Sequence, residues 1–507
     1  MPIALNSPEL SRLNKLIEEN IRVERGQPPI YVDSGKNLSR ILTIQNHVVF
    51  GRRGSGKSSL LLSAKTEAEK QGFLCIYFDS ELIKRNPYPD VLISILIKIF
   101  GFLLEQLESE KRSIFRLFRQ ILPAKRKQLS KKVRTNIEDL EKLKIEPQIY
   151  DVAKRTTTTQ EKRTGADVEL GLDKAKIGAS LDQSGSSTVE EATKTTIQKT
   201  SRLQRNLESY HNLLVELFEE LRKDMMLFLD DFYLIAKQNQ PDVIDYLHRL
   251  SKGTRMRLKL GTIRYRTRLY HTLTKTGEPI GVELDNDIFP IDLDYSLEDL
   301  TAMSIFLDQI LRTFAEKVGI QMNDLDALFT AGGKKLLYLA SGGVPRDFLN
   351  LFLRSQDIAR RLNQPKLEKR RVIGEAARQY LNEGKKQNFS EDSIGDFVSL
   401  EGLLDRIRQF AIEKQRKTVI LVNQEERVKH PEEHDKLKQL MDLRFVHLVD
   451  SNTSASYGGR KRYEGYMLDV GLWASPRIPG LEEVDFDRID SETVPNLSSA
   501  NPLLLIL

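Results

Sequence analysis

The segment from Gly51 to Ser58 has the pattern G-x-x-x-x-G-K-S, and it constrains the fold more than any other part of the chain. The run 47–50 before it is apolar and β-branched enough to predict a buried strand, and residues 58–64 predict the start of a helix. Glycines let the backbone wrap a phosphate chain, so that amide groups and the N-terminus of the following helix point at the anion. The sequence therefore predicts a strand–loop–helix unit that binds a nucleotide.

The polar residues of this loop suit a triphosphate. Lys57 places a positive charge beside the β- and γ-phosphates, and Ser58 offers its hydroxyl to Mg²⁺. We therefore expect ATP and Mg²⁺ as cofactors, bound by the loop residues Gly51, Arg52, Arg53, Gly54, Ser55, Gly56, Lys57, Ser58 and Ser59.

A second nucleotide motif follows another buried strand. The apolar run 225–229 leads into Asp230 and Asp231. An acid at the end of such a strand lies beside the phosphate loop, where Asp230 is expected to bind Mg²⁺ through water and Asp231 to orient or deprotonate the attacking water. The protein is thus expected to be an ATPase that forms ADP and phosphate. Because the side chain of Asp231 is shorter than that of a glutamate, we expect hydrolysis to be slow.

Thr262, Arg264 and Arg346 are candidates for sensing the γ-phosphate. The first two lie at the end of a predicted strand, 258–263, beside the acid-bearing strand; the alternative is that Arg264 belongs to a solvated basic face. Arg346 follows the break 341–345, where two glycines and a proline interrupt a helical pattern. From there its guanidinium can point at the nucleotide from a separate helical subdomain, or it can lie on the surface of an ordinary turn between helices.

The composition indicates a soluble protein of several domains. The chain has 507 residues, of which 40% are hydrophobic and 30% charged, and one cysteine, Cys75. It has no apolar run of the ~20 residues that a membrane span needs and no signal-peptide pattern at its start. Because a single cysteine builds no disulfide framework, we expect a cytoplasmic protein without a membrane partner. The net charge of +6 is mild, so charge matters only where it is clustered.

Changes in composition divide the chain into four parts. We expect an α/β P-loop core over residues 1–294, a helical lid over 295–385, a winged-helix domain over 396–473 and an extended tail over 474–507. The core is interrupted at about 108–207 by a charged insertion rich in Thr, Lys and Gln.

The charged insertion contains a basic segment and a candidate hairpin. Ten Lys and Arg residues and no acid occur between Lys111 and Arg134, interleaved with apolar residues. This pattern indicates either a DNA-binding surface or an amphipathic helix that packs on the core and leaves its charged face in water. Alternation of polar and apolar residues over 168–181 predicts a β-hairpin.

The part after residue 396 has the order helix, helix and two-stranded hairpin that is typical of a winged helix. The hairpin loop carries Arg460, Lys461 and Arg462, which together with the basic insertion are the candidate DNA contacts. The helix expected to approach DNA begins with the run 431–435, which is rich in acids and suits phosphates poorly. Lys438 is one of the cations that remain on that helix.

Taken in order, these motifs resemble the AAA+ class of ATPases, and within it the Orc/Cdc6-like initiators, whose helical lid carries a Gly-x-x-Arg sensor before a winged helix. The motif order is also similar to the STAND signalling ATPases, in which Thr-x-Arg follows the sensor strand and a Gly-x-Pro element precedes the winged helix. The residues that carry the resemblance are the loop Gly51–Ser58, Asp230, Asp231, Arg264 and Arg346. The charged insertion departs from the compact initiator core.

The two resemblances imply two functions. Likeness to the initiators implies an ATP-binding, slowly hydrolysing switch that couples nucleotide state to homo-oligomerisation and DNA binding. A neighbouring subunit would then supply an arginine to the nucleotide, for which the candidates are Arg249, Arg255, Arg266 and Arg268. The alternative is a STAND-type signalling ATPase, for instance in antiphage defence, whose insertion or winged helix senses a protein trigger and which acts with a separately encoded partner.

Overall fold

The structure is a computed structural model that describes residues 3–22, 29–114, 124–146, 174–272, 277–386, 397–454 and 462–483. Its centre is a five-stranded sheet in which every neighbouring pair is parallel. The strands of this sheet are β1 (His47–Phe50), β2 (Leu74–Asp79), β3 (Met225–Asp230), β4 (Met256–Thr262) and β7 (Phe289–Asp292), in the spatial order β2-β3-β4-β1-β7. β5 (Tyr270–Thr272) and β6 (Pro279–Gly281) form a separate small ribbon.

The sheet is buried on both faces, because its strands consist almost entirely of apolar residues. One face packs against α2 (Asn37–Ile41) and α3 (Lys57–Lys70). The other face shares a hydrophobic cluster with four helices: α4 (Asp90–Ile114), α5 (Ala124–Ile145), α6 (Lys174–Leu221) and α7 (Gln240–Ser251). The predicted α/β core with a parallel sheet is confirmed, and of the two positions expected for the last strand, 281–288 and 291–293, the second is the one that pairs with β1.

The charged insertion is helical where the structure describes it. The predicted hairpin over 168–181 is wrong in its second half, because residues from 174 onward belong to the continuous helix α6; the first half lies outside the described residues. Ile177 and Leu181 are four positions apart, so they share one face of a helix as well as one face of a strand. In α5 the apolar residues Leu129 and Val133 are buried, which supports packing on the core for this described part of the basic segment. A DNA-binding role for its charged face stays a prediction.

The lid and the C-terminal unit, residues 397–483, share one hydrophobic core with α1 (Pro8–Asn20). The lid contains α8 (Leu300–Lys317), α9 (Met322–Asp326), α10 (Gly333–Ser341), α11 (Pro345–Arg361) and α12 (Glu375–Tyr380). The C-terminal unit contains α13 (Phe397–Arg408), α14 (Glu426–Lys429), α15 (Pro431–Asp442) and an antiparallel sheet of β8 (Val419–Asn423), β10 (Arg462–Leu468) and β9 (Val446–Ser454), in that spatial order. The division of the chain into core, lid and winged helix stays a prediction.

Candidate nucleotide site

The phosphate loop connects β1 to α3 at the carboxyl edge of the sheet. Gly54 and Gly56 have φ angles of +92° and +98°, which glycine adopts without the strain of a side chain. α3 begins at Lys57, so its unpaired amide groups face the space in front of the loop. Ser55 Oγ is buried and has no hydrogen-bond partner among the described residues, so the loop retains a free polar group for a ligand.

Lys57 is held inside the loop by the loop's own backbone. Its side chain is buried, and Nζ donates to the carbonyl oxygens of Gly51 at 2.9 Å and Arg52 at 3.2 Å. Burial lowers the pKa of Lys57, while the nearby Asp231 and Asp230 oppose that shift. A bound phosphate would add to these two acids in favouring the charged amine.

Asp230 ends β3, and both of its carboxylate oxygens accept hydrogen bonds. Oδ1 accepts the backbone N–H of Asp231 at 2.9 Å, and Oδ2 accepts the hydroxyl of Tyr77 on β2 at 2.5 Å. β4 lies between β3 and β1, and a Cβ at its Gly261 would come within 2.7 Å of Asp230 Oδ1. The glycine therefore gives the carboxylate room over β4.

Asp231 has a left-handed backbone with φ of +50°, which turns its side chain away from the strand direction. Burial raises the pKa of Asp231 to about 6, and the neighbouring Asp230 adds to this effect. A carboxyl group in this range is ionised at neutral pH and still holds a proton well enough to act as a general base.

Arg346 reaches the loop from the start of α11 in the lid. Its backbone N–H donates to the Gly54 carbonyl at 3.3 Å, and its Nε donates to the carbonyl of Ile21 at 3.3 Å. Burial lowers the pKa of Arg346, and the neighbouring Arg444 and Arg53 add to this effect. The site thus gathers more positive charge than its immediate acids balance, as expected for a polyphosphate site.

These groups surround a cavity of about 580 Å³, a size typical of ligand sites. Residues 53–59 of the phosphate loop line it, together with Asp230, Asp231 and Arg346, whereas Gly51 and Arg52 are not among its lining residues. The lining also includes apolar residues of the N-terminal segment and the lid: Ile21, Ile30, Val32, Phe306, Ile310, Phe314 and Leu349. The residues present therefore fit a nucleotide and its magnesium ion, because the cavity offers cations, loop amides and acids together with apolar side chains.

Arg52 points to the back of the loop and binds the parts of the chain that surround it. Its Nε donates to Asp294 Oδ1 at 3.2 Å, and one NH2 group donates to the carbonyls of Tyr295 and Gly342, each at 2.8 Å. Gly342 belongs to the break that the sequence places before Arg346. This arginine is therefore a connection between the loop and the lid.

The structure places the other predicted sensors outside the cavity lining. Arg264 donates to Asp292 Oδ1 at 2.5 Å and lies 4.1 Å over the ring of Phe50, and Thr262 Oγ1 lies 2.5 Å from the hydroxyl of Thr267. The four candidates for an arginine supplied to a neighbour have partners within the chain: Arg249 pairs with Asp245, Arg255 with Asp224, Arg266 lies over the ring of Tyr233, and Arg268 donates to the Tyr270 carbonyl.

The C-terminal unit contacts the nucleotide site from behind. Arg444 donates to Asp347 Oδ1 of the lid at 2.5 Å and to the carbonyl of Arg53 in the loop at 3.4 Å. Asp442 accepts the backbone N–H of Tyr265 at 3.2 Å, and burial raises the pKa of Asp442 to about 7. Sequence patterns gave no signal for these contacts, because they join distant parts of the chain.

The candidate DNA contacts differ in how they are placed. Arg460 and Lys461 lie outside the described residues, and Arg462 is exposed at the start of β10. Lys438 is buried and donates to Glu464 and Tyr466. In the basic segment, described cations pair with acids of the neighbouring helices: Arg126 with Glu220, Lys132 with Glu216 and Arg134 with Glu108.

The fold and the geometry of the loop together define a P-loop domain of the α/β class. No protein-family model matches the chain. No curated protein matches it either. Among the described residues, no helix combines the length and apolarity needed to cross a membrane.

Solved structures of three archaeal proteins match most of the chain. Cdc6 of Pyrobaculum aerophilum is 12% identical, with 94% of this chain and 95% of that chain covered and a TM-score of 0.33. Orc1 of Aeropyrum pernix, solved in complex with DNA, is 15% identical, with 99% and 94% covered and a TM-score of 0.30. A Walker-type ATPase of Pyrococcus abyssi is 13% identical, with 89% and 97% covered and a TM-score of 0.34. At these identities and TM-scores the function is inferred from the site itself.

Replacing Gly54 with alanine tests the contact between the loop and the lid. A Cβ at Gly54 would lie 2.8 Å from Arg346 Cβ, and the φ of +92° adds strain of ~1–2 kcal/mol. We expect Gly54→Ala to weaken nucleotide binding about ten-fold or more, measured by titration calorimetry. Gly72→Ala is the matched control, because Gly72 has a φ of +90° and open space around it. Equal affinities of the two variants would contradict the contact.

Proposed function

We propose that the cavity binds ATP with Mg²⁺ and that the protein slowly hydrolyses ATP to ADP and phosphate. The observation that carries this proposal is that Lys57, Ser58, Asp230, Asp231 and Arg346 line one cavity although three separate parts of the chain supply them. Such a combination of cations, acids and loop amides suits a triphosphate better than a monoanionic ligand.

Each of these residues has a part in the proposed reaction. On nucleotide binding, Lys57 Nζ would donate to phosphate oxygens in place of the two loop carbonyls. Ser58 and Asp230 would hold the magnesium ion. When bound, Mg²⁺ supplies positive charge that offsets the charge of the phosphates. Asp231 would take a proton from the attacking water, which its raised pKa suits. Arg346 would neutralise charge on the γ-phosphate and thereby report it to the lid.

The apolar part of the cavity lining suits a nucleobase. Ile30 and Val32 from the N-terminal segment line the cavity together with Phe306 and Phe314 of the lid, and they pack against the hydrophobic core that contains these two rings. A flat ring between these side chains would bury apolar surface from two parts of the molecule at once. We propose that the base and the phosphates together hold the lid against the core.

The lid also supplies a route from the nucleotide to the C-terminal unit. Asp347 follows Arg346 in the chain and accepts the hydrogen bond of Arg444, so movement of α11 would disturb both. We propose that the C-terminal unit is a winged helix whose position depends on the nucleotide. In this proposal ATP favours assembly of subunits, and the winged helix binds DNA through Arg460, Lys461 and Arg462.

The signalling alternative is favoured by one observation. Arg444 and Asp442 dock the C-terminal unit directly on the phosphate loop and on the segment that follows β4. A unit held there in the resting state could be released by a protein trigger, and nucleotide exchange would follow its release. In that case the charged insertion or the winged helix would bind a protein rather than DNA.

Substitutions of Lys57 and Asp231 test the ATPase. Lys57→Ala should abolish nucleotide binding, since a cation within the phosphate loop is lost. Asp231→Asn, which tolerates the left-handed backbone, should keep ATP binding and lower kcat at least a hundred-fold, a common scale for loss of a general base. Phosphate release and binding of a fluorescent ATP analogue measure the two effects. Asp139→Asn, at an exposed position of α5 outside the cavity lining, is the control and should keep turnover.

The pH dependence follows from the raised pKa of Asp231. A general base must be ionised, so kcat/KM should fall as the pH drops through about 6 and be level above it. Normal turnover by Asp231→Asn, or a profile without this decline, would contradict the assignment of the base.

Measuring the binding of duplex DNA distinguishes the proposed DNA-binding function from the signalling alternative. With ATP, the DNA-binding alternative predicts an affinity that falls steeply between about 50 and about 200 mM salt and is lost when Arg460 and Lys461 are both changed to alanine. Lys15→Ala, which removes an exposed cation of α1 outside the candidate DNA contacts, is the control. An ATP-dependent change in mass by light scattering without any DNA binding would favour the signalling alternative. No response of either kind to ATP would contradict both.

A further inference from the structure

Tyr77 is the one residue of β2 whose side chain reaches the carboxylate at the end of β3. β2 and β3 run parallel, with Tyr77 beside Phe228 and Asp79 beside Asp230. From this position the phenol hydroxyl extends along the strand and donates to Asp230 Oδ2 at 2.5 Å. Tyr77 also lines the nucleotide cavity. The hydroxyl therefore lies where the metal side of the site is expected.

The hydrogen bond from Tyr77 helps to fix the orientation of the Asp230 carboxylate. Its other oxygen, Oδ1, accepts the backbone N–H of Asp231 at 2.9 Å. A Cβ at Gly261 would approach that same oxygen to 2.7 Å, so the space on this side allows little other than glycine. One donor on each oxygen holds the carboxylate plane in a single orientation, and each oxygen keeps a lone pair for a further ligand.

Tyr77 is the donor in this hydrogen bond, because an ionised carboxylate has no hydrogen of its own and can only accept.

We infer that Tyr77 is a positioning residue that sets the affinity of the nucleotide complex for Mg²⁺ by holding Asp230 in its binding orientation. This inference rests on the proposed function. Groups that orient a metal ligand without touching the metal change metal affinity by about ten- to a hundred-fold when they are removed. Loss of this hydroxyl should act on the metal and leave the affinity for the nucleotide alone unchanged.

Tyr77→Phe removes the hydroxyl and keeps the ring. The full-length protein is titrated with Mg²⁺ in the presence of a fluorescent ATP analogue, and nucleotide affinity is also measured in EDTA. We expect the half-saturating Mg²⁺ concentration to rise about ten-fold, with metal-free nucleotide affinity and melting temperature within the error of wild type. Turnover at saturating Mg²⁺ should return close to the wild-type rate.

Tyr338→Phe is the matched control, because Tyr338 donates to Asp308 in the lid at 2.6 Å, away from the loop. Gly261→Ala is a second variant that crowds Asp230 from the opposite side, and it should also raise the Mg²⁺ requirement. An unchanged or lowered requirement in Tyr77→Phe, or an equal rise in Tyr338→Phe, would overturn the inference alone. Failure of the wild type to bind the analogue would instead overturn the proposed function and the inference with it.

Discussion

The relative arrangement of the phosphate loop, the sheet and the lid depends on the contacts of one side chain, Arg52. This buried side chain starts in the phosphate loop and ends on Asp294, the Tyr295 carbonyl and the Gly342 carbonyl. Each hydrogen bond from a charged donor stabilises the folded state by about 1.5–3 kcal/mol, and this stabilisation is lost if the partner moves away. The loop, the end of the sheet and the lid therefore keep one common geometry, and the charge of Arg52 also acts on Asp442 of the C-terminal unit.

Because of this common geometry, the core, the N-terminal segment and the lid together enclose one cavity. The core supplies the phosphate loop and the two acids, the N-terminal segment and the lid supply the apolar wall, and the lid adds Arg346. Arg346 lies close enough to Arg53 and Arg444 for the three charges to repel one another. A polyphosphate would relieve this repulsion, and a ligand that favours one arrangement shifts the population toward it. In the proposed function, the nucleotide state is thereby linked to the lid and, through Arg444, to the C-terminal unit.

Local patterns predicted the core well, because the phosphate loop and the acid-bearing strand are each specified by a few neighbouring residues. The contacts across the site were not predictable in this way: Tyr77 and Asp230 are 153 positions apart, and no spacing links them. Arg264 lies at the end of the strand where a sensor was expected. Its guanidinium contacts the carboxylate of Asp292 and the ring of Phe50 there. The second half of the hairpin prediction failed because three alternating apolar residues are too few to distinguish a strand from the helix α6.

Amide hydrogen exchange with no nucleotide, with ADP and with ATP tests the central claim that the cavity controls both the lid and the C-terminal unit. The account predicts that ATP slows exchange in α11 and in β9 together, and that Lys57→Ala abolishes both effects. Protection confined to the phosphate loop and α3, in a protein that demonstrably binds ATP, would contradict it.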